Sequence, residues 1–256
     1  MKTIVVIPTY NEAENIPGLV LSIRSEVKAP LDILVVDSAS PDKTADRVRA
    51  LQEKDPNLYL LEQKAKLGLG KAYLDGMAWV LDRDYDALIT MDADFSHQPK
   101  YLNDHLREII THDLSVGSRY VKDGGMENWP KYRLALSSFA NWYAGILMGL
   151  PFHDLTSGFQ CFRTDLLRKI FRYNIHTEGY AFLVELKFLA IIQEARYAEF
   201  PIIFPNRRAG DSKISKRVIF ESMLFVMKRS LQRGRVKRAV SAVEKREKKE
   251  RQISSV

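Results

Sequence analysis

The sequence has 256 residues, a length that suits one large domain better than two ordinary ones. Hydrophobic residues make up 46% and charged residues 28%, and these proportions exclude a disordered or fibrous chain. The single cysteine, Cys161, excludes a disulfide framework and a cysteine-based zinc site. An apolar, strand-like run directly follows Met1-Lys2-Thr3 and leaves no room for a signal peptide, so we expect a cytoplasmic protein.

Charge is distributed unevenly along the chain, whose formal net charge is +7. Residues 207–256 contain 16 Lys or Arg and 5 Asp or Glu, a net charge of +11. The first 206 residues therefore hold 23 basic and 27 acidic residues, a net charge of −4. A mildly acidic body with a strongly basic C-terminal segment predicts an anionic ligand or surface near that end.

The first half alternates short apolar runs with helical patterns. The apolar runs predict strands at Thr3–Pro8, Asp32–Asp37, Leu58–Leu61, Ala87–Met91 and Leu114–Val116. The helical patterns cover roughly Asn11–Val27, Asp42–Lys54, Leu69–Leu81 and Pro99–Thr111. Because strands separated by helices of this length indicate βαβ units, we predict an α/β fold with a mostly parallel central sheet flanked by helices. Ligands of such sheets bind beyond the carboxyl ends of the strands.

Acidic residues stand at two of these strand ends. Asp92 and Asp94 follow the fourth predicted strand, and residues i and i+2 of an extended chain point to the same side. Two such carboxylates suit Mg²⁺ or Mn²⁺, with water and substrate phosphates completing the shell, although a solvated turn is the simpler alternative. Asp37 ends the second strand, where a carboxylate either accepts hydrogen bonds from a nucleotide or caps the next helix.

A glycine-containing segment, Lys66-Leu67-Gly68-Leu69-Gly70-Lys71, begins the third predicted helix. Its two glycines permit close backbone approach and offer amide donors to phosphate. The segment matches neither Gly-x4-Gly-Lys-Ser/Thr nor Gly-x-Gly-x-x-Gly, so the sequence excludes a P-loop and a Rossmann dinucleotide motif here.

The order of the motifs is more specific than any single one. The chain resembles glycosyltransferase family 2, whose GT-A (Rossmann-like) enzymes use nucleotide-sugar donors, in the ordered motifs Pro8-Thr9-Tyr10-Asn11-Glu12, Asp37, Gly68-Leu69-Gly70 and Asp92-Ala93-Asp94. Its later motifs are similar to those of the polyprenyl-phosphate (dolichol-phosphate) mannosyltransferases, namely Gly117-Ser118-Arg119-Tyr120, Gly124-Gly125, Trp129, Arg133, Ser137, Asp154-Leu155-Thr156-Ser157-Gly158-Phe159, Gly179-Tyr180-x-Phe182-x-x-Glu185, Glu199-x-Pro201-Ile202 and Arg208-x-Gly210-x-Ser212-Lys213. The resemblance covers about residues 3–227.

The resemblance implies a role for each matching residue. For the nucleoside it implies Pro8, Tyr10, Glu12, Asp37, Gly68 and Gly70, and for the metal and donor pyrophosphate it implies Asp92, Ala93 and Asp94. For the donor and acceptor phosphates it implies Arg119 and Arg133, with Ser137 as a hydroxyl donor at the acceptor phosphate. The catalytic set is then Asp92, Asp94, Arg119 and Arg133. A mobile loop that closes over the nucleotide sugar would carry Arg207 or Arg208, with Ser212 and Lys213.

The implied reaction is inverting transfer of mannose from GDP-mannose to polyprenyl (dolichyl) monophosphate, with Mg²⁺ or Mn²⁺ on Asp92 and Asp94. A phosphate acceptor is already anionic near pH 7, since its second pKa is about 6, and it needs no general base. Two alternatives stay open. One is transfer of glucose from UDP-glucose to the same lipid phosphate, and the other is a hydroxyl acceptor, which would need a catalytic carboxylate such as Asp154.

Several positions depart from the family pattern or keep two interpretations. Ser38 stands where relatives often have a second Asp, which weakens the inference about the base, and Gln160 stands where an Arg commonly follows Gly-Phe. Lys43 replaces a common glycine. Asp154 is either a helper base or a structural residue, and His97 is either a third metal ligand or a residue at the start of a helix.

The second half contains two candidate membrane-facing segments. Residues 134–152 carry no charge and are long enough for a transmembrane helix, but Ser, Asn, Gly and Pro dilute the run and favour a buried or membrane-surface helix. We expect a catalytic domain at 1–215 that includes this helix, then a basic amphipathic helix at 216–240 and a charged, frayed tail at 241–256. The amphipathic helix either lies on a membrane surface or packs on the core.

An isoprenoid acceptor requires contact with a bilayer. We therefore predict a peripheral enzyme at the cytoplasmic face of the membrane, and a separate membrane-anchoring partner is compatible with this arrangement. The basic C-terminal segment also raises the alternative of a nucleic-acid-binding protein. We predict no nucleic-acid partner, because aromatic residues are not interleaved with the basic run in a stacking pattern.

Overall fold

The chain alternates strands and helices through its first half and becomes mostly helical in its second. The computed structural model describes residues 1–173, 175, 177, 179–205 and 216–254, while the side chains of 131–133, 180, 216–222, 244 and 247–254 lie outside this description. The strands are β1 (Thr3–Thr9), β2 (Leu31–Asp37), β3 (Leu58–Glu62), β4 (Ala87–Thr90), β5 (Leu114–Ser118), β6 (Gly125–Met126), β7 (Gln160–Arg163), β8 (Tyr197–Pro201) and β9 (Ile203–Phe204). The helices are α1 (Ile16–Glu26), α2 (Thr44–Gln52), α3 (Leu69–Leu81), α4 (Leu102–Glu108), α5 (Lys131–Met148), α6 (Thr164–Ile170), α7 (Gly179–Ile192), α8 (Lys216–Ser230) and α9 (Arg233–Ser254).

Strand β1 lies near the centre of a seven-stranded sheet with the order β3-β2-β1-β4-β7-β5-β8. It runs parallel to both neighbours, and Val5 lies opposite Ile33 on β2 and Ile89 on β4. All seven residues of β1 are buried, as expected for a parallel strand that is covered on both faces. Strand β7 alone in this sheet, within the described residues, runs antiparallel to its neighbours β4 and β5. The predicted α/β fold with a mostly parallel sheet is therefore confirmed.

The alternation of side chains along β1 divides the apolar interior into two layers. Ile4 and Val6 join a cluster that contains Tyr73 of α3 and Phe182 of α7. Val5 and Ile7 face the opposite layer, where α1 contributes Leu19, Val20 and Ile23. The sheet is thus sandwiched between helices, and its carboxyl edge stays open to solvent and to ligands.

The structure departs from the predicted elements in both halves of the chain. Helix α1 begins at Ile16 rather than Asn11, because residues 10–15 form a turn and Pro17 occupies the first helical turn. Strands β6, β8 and β9 were not predicted, and neither was β7. Its four residues lack an alternating apolar pattern, and its antiparallel place between β4 and β5 depends on pairing with strands far away in the sequence.

The charge-free run at 134–152 forms most of α5, which spans Lys131–Met148 and ends at Gly149 in a left-handed conformation with φ of 68°. The basic segment forms two helices, α8 and α9, separated at Leu231 and Gln232, where one helix at 216–240 was predicted. Helix α9 continues to Ser254 through the expected tail, and its Val236, Ala239 and Val243 are buried along one side. Among the described helices, none combines the length and apolar character needed to cross a membrane.

Helix α3 approaches the sheet closely at Gly76, and this contact yields a stability prediction. A Cβ atom at Gly76 would lie 2.6 Å from Cγ1 of Val6 and 3.0 Å from Cγ2 of Val36. We expect Gly76→Ala to lower the free energy of unfolding by about 1–3 kcal/mol through overpacking, measured by urea denaturation. The control is Gly18→Ala on α1, where the nearest atom is 3.5 Å away, and there the value should stay unchanged or rise. Equal unfolding free energies for the two variants would contradict the tight contact between α3 and the sheet.

Candidate active site

A cavity of about 400 Å³ opens at the carboxyl edge of the sheet, where β1, β2, β4 and β5 end. Of the residues singled out from the sequence, those that line it are Pro8, Tyr10, Glu12, Gly68, Asp92, Ala93, Asp94, His97, Trp129 and Arg119. Asp37, Gly70 and Ser137 are not among the described residues that line it. The fold therefore brings residues from the whole first half of the chain, and from the turn before β7, to one place.

The turn after β1 is held by side chains from the segment between β2 and α2. The amide of Asn11 donates to Oγ of Ser40 at 3.0 Å, and the amide of Glu12 donates to Oγ1 of Thr44 at 3.0 Å. The Tyr10 ring carries the ammonium group of Lys66 at 3.7 Å from its centroid, a cation–π contact. This side of the cavity therefore offers an aromatic ring, a cation and the carboxylate of Glu12.

Asp37 is buried, and its oxygens are occupied by neighbouring donors. Oδ1 accepts hydrogen bonds from Oγ1 of Thr9 at 2.9 Å and from Oγ of Ser40 at 2.6 Å, and Oδ2 accepts one from the amide of Ser40 at 2.9 Å. The next residue, Ser38, lines the cavity instead. Asp37 thus shapes the turn that supports the end of β1, and a contact with a nucleoside stays a prediction.

Asp92 and Asp94 follow β4 and face the cavity from a turn in which each carboxylate has its own donor. Oδ1 of Asp92 accepts a hydrogen bond from the buried hydroxyl of Tyr73 at 3.0 Å. Oδ1 of Asp94 accepts bonds from the amide of Ser96 at 3.1 Å and from its hydroxyl at 2.5 Å. Burial, and then the charge of Asp92, raises the pKa of Tyr73 well above its ordinary value, so this hydroxyl remains a proton donor.

His97 supports the turn that carries Asp92 and Asp94. Its Nδ1 accepts a hydrogen bond from the amide of Asp92 at 2.9 Å, and its ring stacks on Phe159 with centroids 4.7 Å apart. Burial lowers the pKa of His97, which keeps the ring neutral at pH 7. Because Nδ1 is engaged by backbone, the geometry favours the structural interpretation of His97 over a third metal ligand bound through that atom.

The aspartate pair has the donor chemistry of a divalent metal site. Carboxylate oxygens are the ligands that Mg²⁺ and Mn²⁺ prefer, and two carboxylates commonly suffice when substrate phosphates and water complete the shell. Tyr73 and Ser96 fix one oxygen of each carboxylate. Within the described residues, no group of three or more His, Cys, Asp or Glu side chains is arranged to hold a metal ion.

Arg119, directly after β5, reaches the cavity and is fixed by a buried ion pair with Asp154. Its Nε lies 2.7 Å from Oδ2 of Asp154, and its Nη2 lies 2.8 Å from Oδ1. Nη2 also donates to Oγ1 of Thr156 at 2.8 Å. Although burial opposes ionisation of Asp154, the Arg119 guanidinium and its hydrogen bonds lower the pKa of that carboxyl. With both oxygens bound to Arg119, the geometry favours the structural interpretation of Asp154 over a helper base.

The other residues that were predicted to bind phosphate either lie away from the cavity or fall outside the described residues. Oγ of Ser137 on α5 accepts a hydrogen bond from the Tyr120 hydroxyl at 2.8 Å, away from the cavity lining. Arg133 lies in the first turn of the same helix, and its side chain lies outside the described residues. The same holds for Arg208 and Lys213, which fall in the segment 206–215.

The sequence did not single out two residues that are important here. Tyr73 holds Asp92, but a tyrosine inside a helical pattern carries no sign of that role. Lys187 is buried in α7 behind the turn of Asp154 and donates to two of that turn's carbonyl oxygens. The sequence does contain a signal for Lys187, because a lysine amid the apolar residues of that helix must be paired when it is buried.

An apolar surface lies on the helical side of the molecule. We call it the apolar face and define it by exposed residues of α5 (Leu136, Phe139, Trp142 and Ile146) and of α8 (Met223, Leu224 and Met227). The two helices are neighbours, since the Tyr143 hydroxyl of α5 lies 3.5 Å from the carbonyl oxygen of Met223. Leu231 extends the surface beyond α8 with 88% of its area exposed, and the basic residues Lys228, Arg235, Lys237 and Arg238 are exposed on α8 and α9. Exposed apolar patches of this kind mark protein or membrane contacts.

Comparisons with known proteins agree with these features. The family model described as glycosyl transferase family 2 matches residues 4–171. An undecaprenyl-phosphate mannosyltransferase from Micrococcus luteus is 41% identical over 226 residues, which are 88% of this chain and 93% of that protein. A polyprenol monophosphomannose synthase from Mycolicibacterium smegmatis is 41% identical over 244 residues, which are 94% of this chain and 91% of that protein.

Solved structures show the same fold at lower sequence identity. Glucosyl-3-phosphoglycerate synthase from Mycobacterium tuberculosis, crystallised with Mn²⁺, UDP and glucosyl-3-phosphoglycerate, matches with a TM-score of 0.62 at 18% identity, over 91% of this chain and 79% of that one. The same enzyme with Mg²⁺ and UDP also has a TM-score of 0.62. The predicted GT-A fold is thereby confirmed, and from the family match together with the two mannosyltransferase relatives we conclude that this chain belongs to glycosyl transferase family 2.

Proposed function

We propose that the protein transfers mannose from GDP-mannose to a polyprenyl (dolichyl) monophosphate and inverts the anomeric configuration. The observation that carries the proposal is one cavity lined by the carboxylates of Asp92 and Asp94 together with the guanidinium of Arg119. A transferase that brings two phosphate-bearing substrates together needs both kinds of group. The 41% identity to two polyprenyl-phosphate mannosyltransferases supports the choice of mannose and of the lipid acceptor.

The nucleotide is assigned to the part of the cavity that follows β1. Pro8, Tyr10 and Glu12 line that part, and Gly68 lines it with φ of 94°, a conformation that favours glycine. Lys66 adds a positive charge beside Tyr10. An aromatic ring and a carboxylate suit a base and a ribose, while the glycine turn leaves room for close backbone approach.

Asp92 and Asp94 would hold Mg²⁺ or Mn²⁺ against the donor pyrophosphate. The bound ion would neutralise the departing nucleoside diphosphate and help to orient it. Support comes from the donor chemistry of the pair and from the fold neighbour, which was crystallised with either ion. The hydroxyl of Tyr73 and the backbone of the turn at Ser96 would keep the two carboxylates oriented toward the ion.

The acceptor is best understood as a phosphate monoester. Such a group is anionic near pH 7 and attacks without a general base, so positioning and charge stabilisation remain as the tasks of the protein. Asp154, the carboxylate that a hydroxyl acceptor would need, is bound to Arg119 through both oxygens. Arg119 would offset the repulsion between donor and acceptor phosphates, and we keep Arg133 as its predicted partner for the acceptor.

The apolar face would rest on the cytoplasmic surface of a membrane and give the site access to the isoprenoid lipid. Apolar side chains of α5 and α8 would enter the boundary between headgroups and acyl chains, and the exposed cations of α8 and α9 would contact anionic headgroups. We propose a peripheral enzyme on this basis, with a separate membrane-anchoring partner as a further option.

A transfer assay tests the reaction and the metal together. Radiolabelled sugar from GDP-mannose, but not from UDP-glucose, should appear in polyprenyl phosphate, and EDTA should remove the signal. Asp92→Asn and Asp94→Asn should each lower kcat/KM at least about 100-fold, because each removes charge from the proposed metal site. Asp104→Asn, which changes a carboxylate paired with Arg107 outside the cavity, is the matched control and should keep full activity. Labelling from UDP-glucose alone would refute the mannose assignment, and absence of lipid labelling from either donor would refute the lipid acceptor.

Vesicle binding tests the apolar face. Trp142→Glu and Leu224→Glu should weaken co-sedimentation with phosphatidylglycerol-containing vesicles at least about 10-fold, since burial of one large apolar side chain contributes about 1.5–3 kcal/mol. Leu21→Glu places the same charge on an exposed leucine of α1 and should bind like the wild type. Equal binding by all three variants would show that the membrane contact lies elsewhere.

A further inference from the structure

A lysine with no exposed surface lies in the middle of α7. The side chain of Lys187 is 0% exposed, and its neighbours Leu186, Phe188 and Leu189 are buried apolar residues. Its Nζ donates hydrogen bonds to the carbonyl oxygens of Leu155 at 3.2 Å and Ser157 at 2.8 Å. A buried ammonium group is costly unless it is hydrogen-bonded or paired, so these two contacts account for its presence.

Both carbonyl oxygens belong to residues 153–158, which we call the Asp154 turn. Other side chains bind the amides of the same turn. Glu199 on β8 accepts from the amide of Asp154 at 3.0 Å, and Oδ1 of Asn141 on α5 accepts from the amides of Leu155 at 2.7 Å and Thr156 at 3.2 Å. The Asp154 turn is therefore held by side chains rather than by a regular backbone ladder, and the buried lysine binds its carbonyl side.

The Asp154 turn forms one wall of the cavity and fixes the arginine within it. Thr156, Ser157 and Gly158 line the cavity. Asp154 and Thr156 together bind Arg119 through Nε and Nη2 at 2.7–2.8 Å. A displacement of the turn would therefore change both the wall of the cavity and the direction of the guanidinium.

Charges around the lysine are balanced within a small volume. Burial lowers the pKa of Lys187 to about 7, while Asp154 and Glu199 favour its charged form and Arg119 opposes it. When it is protonated, Lys187 together with Arg119 offsets the two carboxylates that lie beside the turn. A charged donor also makes hydrogen bonds that are roughly twice as strong as neutral ones.

We infer that Lys187 is a positioning residue of the transfer site, which fixes the Asp154 turn and thereby the orientation of Arg119 in the cavity. The inference rests on the proposed function, which assigns Arg119 to substrate phosphates. Lys187 touches no substrate itself, since it lies behind the turn and does not line the described cavity. Its effect on the reaction should therefore depend on the presence of Arg119.

A double-mutant cycle measures this dependence. Lys187→Met removes the ammonium group and keeps a long apolar side chain, and Arg119→Lys keeps the charge at the cavity but loses the two-pronged contact with Asp154. We expect Lys187→Met to lower kcat about 10- to 100-fold in the otherwise natural chain, with little change in the donor KM, because misplacement rather than lost contact causes the loss. In the Arg119→Lys background the same change should cost less than about 2-fold. Equal losses in both backgrounds, or no loss in the natural one, would overturn the inference.

Two further variants separate positioning from general stability. Leu189→Ala removes buried apolar contacts from the same helix and leaves the Lys187 side chain in place, and at matched folded fraction it should keep the wild-type kcat. The exchange variant Lys187→Gln with Gln160→Lys moves the cation to β7, from which Nε2 of Gln160 already donates to the Ser157 carbonyl oxygen at 3.0 Å. The exchange variant should recover at least half of the activity lost in Lys187→Gln alone. If Lys187→Met does not fold, Lys187→Gln replaces it in the double-mutant cycle. A failure to recover in a folded exchange variant would overturn the role assigned to the cation.

Hydrogen–deuterium exchange separates this inference from the proposed function. In Lys187→Met the amides of Leu155 and Thr156, which donate to Asn141, should exchange faster, while those of β1 keep their protection. If the wild type transfers no sugar but this selective change occurs, the proposed function fails and the positioning of the turn stands. Uniform loss of protection, or none, would overturn the role of Lys187 whatever the assay shows.

Discussion

The buried ion pair between Arg119 and Asp154 is the interaction on which the candidate site depends. It joins the end of β5 to the turn that leads into β7, so it ties together two strands that are neighbours in the sheet but distant in sequence. Both groups lie in the interior, and a buried charge without its partner costs about 3–5 kcal/mol. The pair therefore permits essentially one arrangement of this part of the cavity.

The pairing of Arg119 with Asp154 also gives the aspartates of this region different roles. Asp154 is used to hold an arginine, whereas Asp92 and Asp94 stand on the turn after β4 with small hydroxyl and amide donors around them. Away from Glu12 and Lys66, the cavity consequently presents the carboxylates of Asp92 and Asp94 and the guanidinium of Arg119. That combination suits the joining of two phosphate-bearing substrates, because a divalent cation can serve one and the arginine the other. It is less suited to activation of a hydroxyl, since the buried carboxylate beside the arginine is already engaged.

Helix α5 connects this interior to the surface. Its outer side presents Phe139 and Trp142 to solvent, and Trp142 is 60% exposed. Its inner side carries Asn141, which binds the amides of the Asp154 turn. A lipid surface that meets the outer side would thus lie within one helix diameter of the turn that holds Arg119, about 10–12 Å. Such closeness would suit the proposed acceptor, whose phosphate lies in water and whose chain lies in a bilayer.

The fold class, the family and several residues of the cavity lining were predictable without a structure. Asp92, Asp94 and Tyr10 could be placed in advance because parallel strands separated by helices bring their carboxyl ends to one edge, whatever the details of packing. The uncharged run of α5 likewise predicted a buried or membrane-surface helix, since its Ser, Asn, Gly and Pro residues argue against a membrane span that its length would permit.

The way in which the second half completes the site depends on tertiary contacts. Strand β7 is short and lacks an alternating pattern, so its place between β4 and β5 depends on partners far away in the sequence. The pairing of Asp154 with Arg119, and the contact of Lys187 with the Asp154 turn, span 35 and up to 32 residues. No local pattern specifies such contacts, because they arise from burial and from the requirement that each buried polar group find a partner.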